Sequence, residues 1–301
     1  MSAFVAGIDG GQTSTIAVIG DETGRIVGRG VAGAADEVGA GESSTRLHDA
    51  LGSALAAALH AAGLAPETHF ASIVAGISGY EGRIFGQAPD LRATRFVMMH
   101  DAPVAHAGAL GGEPGVVVIA GTGSVVYGTD ALCGRTIGGW GYLFGDEGSA
   151  FWVVREALAI MMHAEDDVEK KQPLEARAAC EFFNQPSLRH VARAFYSGEI
   201  GRDRLASFAP HVLTFGRFRE IAERGAGRLA ELVGNAVEAG AYPAVACVGG
   251  MFEDADFIAR VYDGIAALSR PIAIVKPRGE PASGALLLAY REAGLAVRVT
   301  G

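Results

Sequence analysis

The chain of 301 residues is short of cysteine, of positive charge and of long apolar runs, and each shortage removes a class of function. Its three cysteines, Cys133, Cys180 and Cys247, are scattered, with no CxxC spacing and no Cys/His ligand pattern. Neither a zinc site nor an iron–sulfur cluster is suggested, and the thiols read as reduced groups of a cytosolic protein. The eight histidines form no HxxxH or HxH pair. A net charge of −9 argues against nucleic acid or an acidic membrane surface as partner. No apolar run reaches the ~18 residues that a membrane-spanning helix requires. The N-terminus enters an apolar segment by Phe4 without a basic region before it, so it does not read as a signal peptide. These absences place the expected chain in the cytoplasm, with no membrane and no nucleic-acid partner.

What is present is an α/β pattern written twice. Strands are expected near 4–8, 15–19 and 25–31, then a helix near 43–62 with Ser43 or Ser44 as N-cap. A strand at 71–77, a short helix, a strand at 95–99 and a helix at 102–110 follow. The order then repeats: strands near 115–120, 125–129 and 135–138, and a helix from Ser149 to about His163. A strand at 244–248, a helix at 252–268, a strand at 272–275 and a helix at 283–293 close the chain. Three strands followed by alternating helix and strand, done twice, is a duplicated α/β unit. Gly111-Gly112-Glu113-Pro114 suits the hinge, which predicts domains 1–112 and 113–301. Residues 165–240 read as a helical insertion in the second domain, and the last helix is free to pack back on the first. The charges Glu165, Asp166, Asp167, Lys170 and Lys171 read as a solvated helix face.

Two glycine-rich loops occupy matching places in the two units. The first is Gly7-Ile8-Asp9-Gly10-Gly11-Gln12-Thr13-Ser14-Thr15, and the second is Ile119-Ala120-Gly121-Thr122-Gly123-Ser124. Each lies between two short apolar strands. Glycine lets backbone N–H groups approach an anion, and Ser or Thr adds a hydroxyl donor. One such loop is usually only a turn. Two in matching context suggest a polyphosphate clamped from both sides.

Several side chains near these loops carry chemistry. Asp9 opens the first loop, where a carboxylate beside phosphates calls for an intervening cation, Mg²⁺ held directly or through water. An Asx-turn is the alternative. Asp101 follows the strand ending at Met99 and precedes Ala102-Pro103. It reads as a helix N-cap, as a catalytic carboxylate at the carboxyl edge of a sheet, or as both. The stretch from Ile137 to Trp152 supplies glycines, the Trp140 face, and Asp146 and Glu147 before a helix. Carboxylates beside an aromatic plate suit a polyhydroxylated ligand; a capping box with a core tryptophan is the alternative, and Trp152 reads as core. Gly249-Gly250 follows the strand 244–248 and reads either as a place for a flat adenosine or as a plain strand-to-helix turn.

With these residues the chain resembles the BadF/BadG/BcrA/BcrD ATPase family of the actin–hexokinase superfamily, nearest its N-acetylglucosamine and glucosamine kinase branch. The resemblance runs along nearly the whole chain. Gly7 to Thr13 and Ile119 to Ser124 resemble the two phosphate motifs, and His100-Asp101-Ala102 resembles the first connecting segment. Gly138 to Gly141 with Gly145 to Ala150 resembles the amino-sugar segment, Val248 to Phe252 the adenosine motif, and Pro281 to Ala285 the second connecting helix. The implied fold is a pair of ribonuclease-H-like domains of the actin/hexokinase type with a cleft between them. The implied activity is ATP-dependent phosphorylation of an amino sugar at its 6-hydroxyl, with ATP and Mg²⁺ as cofactors. Asp101 would be the base. Asp9, Gly10, Gly11, Gln12, Thr13, Gly121, Thr122, Gly123, Ser124, Gly249 and Gly250 would hold the nucleotide and its metal. Asp36, Asp101, Thr122, Trp140, Gly141, Asp146 and Ala150 would hold the sugar.

Two departures stand out. Family members often carry Asn in the loop after the third strand, where this chain has Ala32-Gly33-Ala34-Ala35-Asp36-Glu37. Asp36 would favour a protonated 2-amino group if it faces C2, and gives no preference if it faces a hydroxyl. N-acetylglucosamine is placed slightly ahead of glucosamine. The cysteines also lack the cluster-binding pattern of the family's activator branch, which counts against an ATP-driven activator of a partner protein, the alternative to a kinase. A homodimer is compatible with either.

Overall fold

The computed structural model describes residues 4–36, 41–130, 133–166, 174–297 and 299. Glu37, Asp167, Lys170 and Lys171, named above, lie outside the described residues. The first half contains β1 (Val5–Gly10), β2 (Thr15–Gly20), β3 (Ile26–Ala32), α1 (Arg46–Ala62), β4 (Phe70–Ile77), β5 (Ala93–His100) and α2 (Asp101–Leu110). The second contains β6 (Gly115–Ala120), β7 (Ser124–Thr129), β8 (Gly134–Ile137) and α3 (Ala150–Glu165). Five helices follow: α4 (Leu174–Phe182), α5 (Leu188–Tyr196), α6 (Arg202–Ala206), α7 (Ala209–Thr214) and α8 (Arg219–Ala239). Then come β9 (Ala244–Val248), α9 (Ala255–Ala266), β10 (Ala273–Ile274) and α10 (Pro281–Glu292).

The strands form two five-stranded mixed sheets, ordered β3-β2-β1-β4-β5 and β8-β7-β6-β9-β10. In each, the first two strands pair antiparallel as a hairpin and the central strand pairs parallel with the next one. β1 and β6 lie mid-sheet with both faces covered, which is why VAGI and VVVI read as continuous apolar runs rather than alternating ones. One face of the first sheet packs on α1, whose Ala54 and Ala58 backbone sits where Cβ atoms of Gly30 and Gly28 would be. The other face is covered by α10, with Ala282, Ala285, Leu286, Ala289 and Tyr290 fully buried against Val5, Val18 and Val74. Gly7 has to be glycine here because the Leu286 backbone occupies the place of its Cβ.

The helices α4 to α8 are not an appendage. Phe208, Phe218, Leu229 and Val233 share one core with Val116, Val118 and Phe151 of the second sheet and its helix. Two local expectations need correction. Residues 78–92 form no helix, because Gly79 and Gly82 take positive φ and Gly86 packs on the Ser44 backbone. And α1 is entered through Thr45, without a side-chain cap bond, rather than through Ser43 or Ser44. Among the described residues, no helix is long and apolar enough to cross a membrane.

Candidate active site

The carboxyl ends of β1 and β6 face one cleft of about 530 Å³. Its walls include Gly11 and Gln12 of the first glycine loop, all of Gly121 to Ser124 of the second, and His100 and Asp101. Trp140, Gly141 and Asp146 complete it, together with residues that the sequence did not single out: Ser78, Glu81, Thr136 and Arg202. The first loop closes through a bond from Gly11 N–H to Ser14 O (2.9 Å), the second through Gly121 N–H to Gly123 O (2.9 Å). A Cβ on Gly121 or Gly250 would meet nothing within 4 Å, so open space borders both backbones. Asp9, Gly10, Thr13, Asp36, Ala150, Gly249 and Gly250 are not among the residues that line this cleft. Gly249, at φ 113°, lies against the Ala120 backbone at the base of the second loop. The Ala150 N–H donates to Gly121 O (2.9 Å) and so props that loop from behind.

Asp101 is the first residue of α2, but it is not the cap. His100 is the N-cap, its Nδ1 accepting from the Ala102 N–H at 3.2 Å. The Asp101 carboxylate is thereby released from capping. Its Oδ1 approaches His100 Nδ1 at 2.8 Å, yet this buried oxygen has no well-aligned hydrogen-bond partner among the described residues. The nearby carboxylate raises the pKa of His100, burial acting the other way.

Asp9 is the second unpaired acid. No described residue hydrogen-bonds its carboxylate, so it is not an Asx-turn. Burial, then the charges of Asp101 and Glu280, push its pKa up to about 7. The charges of Asp101, at the start of α2, and of Glu280, the N-cap of α10, both reach Asp9. A divalent cation beside phosphates would relieve that repulsion, so the donor set fits Mg²⁺. Among the described residues no group of three or more His, Cys, Asp or Glu side chains is placed to hold a metal ion.

The opposite wall is built around Asp146, a buried non-glycine residue at φ 57°. A Cβ on Gly123 would come within 2.9 Å of its carboxylate, and the backbone N–H groups of Ser124 and Gly141 favour its charged form. Burial raises its pKa while Arg202 and these two donors oppose the rise. The Ser124 hydroxyl donates to Glu147 O (2.9 Å), so both donors of Ser124 serve the Asp146 segment. Ser149 is the cap of α3, accepting from Trp152 N–H at 3.2 Å, and Trp152 is core. Trp140 is not: it is 77% exposed at the cleft rim, with Leu143 and Phe144 also exposed. Asp36 is buried, its Oδ1 3.0 Å from Arg46 Nη1, and burial raises its pKa against the pull of Arg46 and then Arg202. Arg202 itself comes from α6, within the helical insertion. Nothing in the pattern around it distinguishes it from a surface arginine of an amphipathic helix.

The BadF/BadG/BcrA/BcrD ATPase family model matches residues 6–289. A segment of 115 residues is 30% identical to an N-acetylmuramic acid/N-acetylglucosamine kinase of Clostridium acetobutylicum, and the match spans 38% of this chain and 37% of that protein. A crystal structure of a Chromobacterium violaceum protein, provisionally assigned as an N-acetylglucosamine kinase, superposes with a TM-score of 0.80 at 26% identity, over 95% of this chain and 99% of that one. A ROK hexokinase from Thermus thermophilus shares the fold, with a TM-score of 0.55 at 18% identity over 97% of this chain and 99% of that one. The nucleotide that such an ATPase architecture implies is ATP, and the two open glycine loops fit its phosphates. The chain belongs to the BadF/BadG/BcrA/BcrD ATPase family.

Proposed function

We propose that this protein is an ATP-dependent kinase of an amino sugar, transferring the γ-phosphoryl group to the 6-hydroxyl, with N-acetylglucosamine ahead of glucosamine. The observation that carries the reading is Asp101: a carboxylate freed from capping by His100, its buried Oδ1 approached by His100 Nδ1 at 2.8 Å, in a cleft between two glycine loops. Phosphoryl transfer needs in-line placement, charge neutralisation and an acceptor for the hydroxyl proton. Asp101 supplies the acceptor as the sugar oxygen bonds to the γ-phosphorus and the bond to ADP breaks. Backbone N–H groups of the loops at Gly11 and Gly121 hold the phosphates. Asp9 would hold Mg²⁺, which when bound would supply charge neutralisation for the transferred phosphates. Asp146 and Gly141 meet the sugar hydroxyls, and Trp140 offers an apolar plate at the rim. Residues 1–112 together with α10, and the stretch from residue 113 to the start of α10, act as the two jaws, hinged near Gly111-Gly112, and their closure excludes water as a competing nucleophile. The relatives act in the same direction, since two of them are described as kinases of N-acetylated amino sugars. Asp36 supports the acetylated sugar, because its charge is already met by Arg46 at 3.0 Å and does not call for a substrate ammonium.

The test is coupled ADP release with glucosamine, N-acetylglucosamine, N-acetylmannosamine, glucose and no sugar, for the wild type and Asp101→Asn. The variant should lose about 10²–10⁴-fold in kcat, with nucleotide binding by calorimetry retained. Turnover within a few-fold of wild type would remove Asp101 from the chemistry. ADP release independent of every sugar would replace this reading with that of an ATP-driven activator.

A further inference from the structure

Arg202 has no role in the chemistry above, yet among the described residues it is the one cation from the helical insertion that lines the cleft. Its guanidinium lies over the Tyr142 ring at 4.4 Å and near the Phe151 ring at 5.9 Å. One of its terminal nitrogens, Nη2, is 3.9 Å from Asp146 Oδ2, close enough for charge and too far for a hydrogen bond. Its charge also reaches Asp36, which belongs to the other half of the molecule. The side chain is 19% exposed, and its Nε is buried with no hydrogen-bond partner among the described residues. Guanidinium cannot shed its proton to escape this, and native structures rarely leave such a donor unmet. The aromatic ring fixes the plane of the fork and holds it in place for an acceptor.

The charges around it are balanced before any ligand arrives. Asp36 and Asp146 face Arg46 and Arg202. A protonated amine added to this corner would stand beside Arg202 as a like charge. An oxygen acceptor would satisfy Nε instead. We propose that Arg202 determines substrate specificity by donating to a carbonyl or carboxylate oxygen on the sugar's substituents, so that acylated or acid-bearing sugars are taken and free 2-amino sugars are refused. This rests on the sugar-kinase reading and adds a source of selectivity that the reading leaves unassigned. It also gives the insertion a function: α6 delivers a charge that neither duplicated unit carries in its own strands and loops.

The experiment compares the full chain with Arg202→Met and Arg202→Lys on N-acetylglucosamine, its 3-O-carboxyalkyl ether, glucosamine and glucose, by steady-state kinetics and by calorimetric sugar binding. A charge-assisted bond of this kind is worth about ten- to a hundredfold. The expected result is a KM for the acylated sugars raised in Arg202→Met by about that factor more than the KM for glucose. Glucosamine, used poorly by the wild type, should gain in relative terms. Arg202→Lys keeps the charge but not the fork, so it should restore part of the loss; it carries the same test if the methionine variant does not fold. Loss of the ether alone assigns a carboxylate, and equal losses on both acylated sugars assign the carbonyl. Wild-type turnover that treats glucosamine and N-acetylglucosamine alike, or an equal loss on glucose, overturns the proposal while leaving the kinase standing. Absent sugar-dependent turnover, with acyl-sugar binding still lost in Arg202→Met, does the reverse. Wild-type protein that binds none of these sugars overturns both.

Discussion

The two halves share one strand order, and their glycine hairpins differ in three places. The first turn has four residues, Gly11 to Ser14, between paired Gly10 and Thr15; the second has three, Gly121 to Gly123, between Ala120 and Ser124. Asp9 stands in β1 where β6 has Ile119. The small residue also changes sides. In the first sheet Gly10 makes room for the Ile77 side chain across the parallel pair, whereas in the second Gly249 makes room for the Ala120 backbone. Duplication therefore repeats a glycine hairpin, but only one copy carries an acid. On the proposed reading the symmetry would suit phosphates, and the broken symmetry would give a cation a single side.

The sharpest way to break that contrast is at Asp9. In Asp9→Asn the Mg²⁺ concentration for half-maximal rate should rise about 10–100-fold, with sugar KM little affected. An unchanged Mg²⁺ dependence would reduce Asp9 to a turn residue. The same variant has a signature without metal. The Asp9 carboxyl is raised from 3.8 to about 7, so between these values the folded chain holds the proton more tightly than the unfolded one. Stability then falls as pH rises through that window, and the whole cost is present above it. Metal-free Asp9→Asn should melt above the wild type at pH 8, with the gap shrinking towards pH 5. A constant gap across this range would assign the difference to something other than the charge.

Next in size is the exchanged glycine. Gly249→Ala puts a Cβ into the Ala120 backbone at φ 113°, and should cost about 1–3 kcal/mol, read as a lower melting temperature. Glycine at Ala120 should not rescue it, because the obstructing atoms are backbone. Rescue would mean that the two sheets solve this contact in the same way after all.

The smallest effect is expected where the halves touch. His106 of α2 has Nε2 3.2 Å from Gly115 O of β6 and meets the Tyr127 ring edge-on. Burial lowers its pKa, so the unfolded chain binds the proton first and stability is lost as pH falls below the ordinary histidine range. His106→Gln should flatten the decline in melting temperature between pH 7 and 5.5. Parallel curves for the two proteins would show that His106 does not titrate across unfolding.

The duplicated units were legible because period and punctuation are local: apolar strands, glycine turns and the Gly-Gly hinge all lie within short windows. The loops, Asp101, Trp140 and Asp146 could be picked out by position for the same reason. What could not be read depended on partners far along the chain. Local pattern left Asp101 either as cap or as free carboxylate, and only the turn of His100 onto Ala102 separates the two. Asp36 was visible as an acid, but its pairing with Arg46 was not. Arg202 was invisible, since a single arginine in a run of amphipathic helices gives no hint of the aromatic ring and the carboxylate that await it. The missing helix at 78–92 failed on glycine geometry, which the apolar pattern does not report.

The placement of α10 has a consequence for how the molecule is made. One face of the N-terminal sheet is closed by Ala282, Ala285, Leu286, Ala289 and Tyr290, and the Tyr290 hydroxyl donates to Asp21 O at 2.6 Å. A chain emerging from the ribosome therefore presents Val5, Val18 and Val74 long before the residues that cover them exist. The second unit must be synthesised, and its insertion threaded into place, while the first remains open on that side. Nascent chains stopped before α10 should bind chaperones that recognise apolar strands and release them once residue 292 is out. The duplicated design, two units in sequence, is thus completed out of order, with the last helix finishing the first domain.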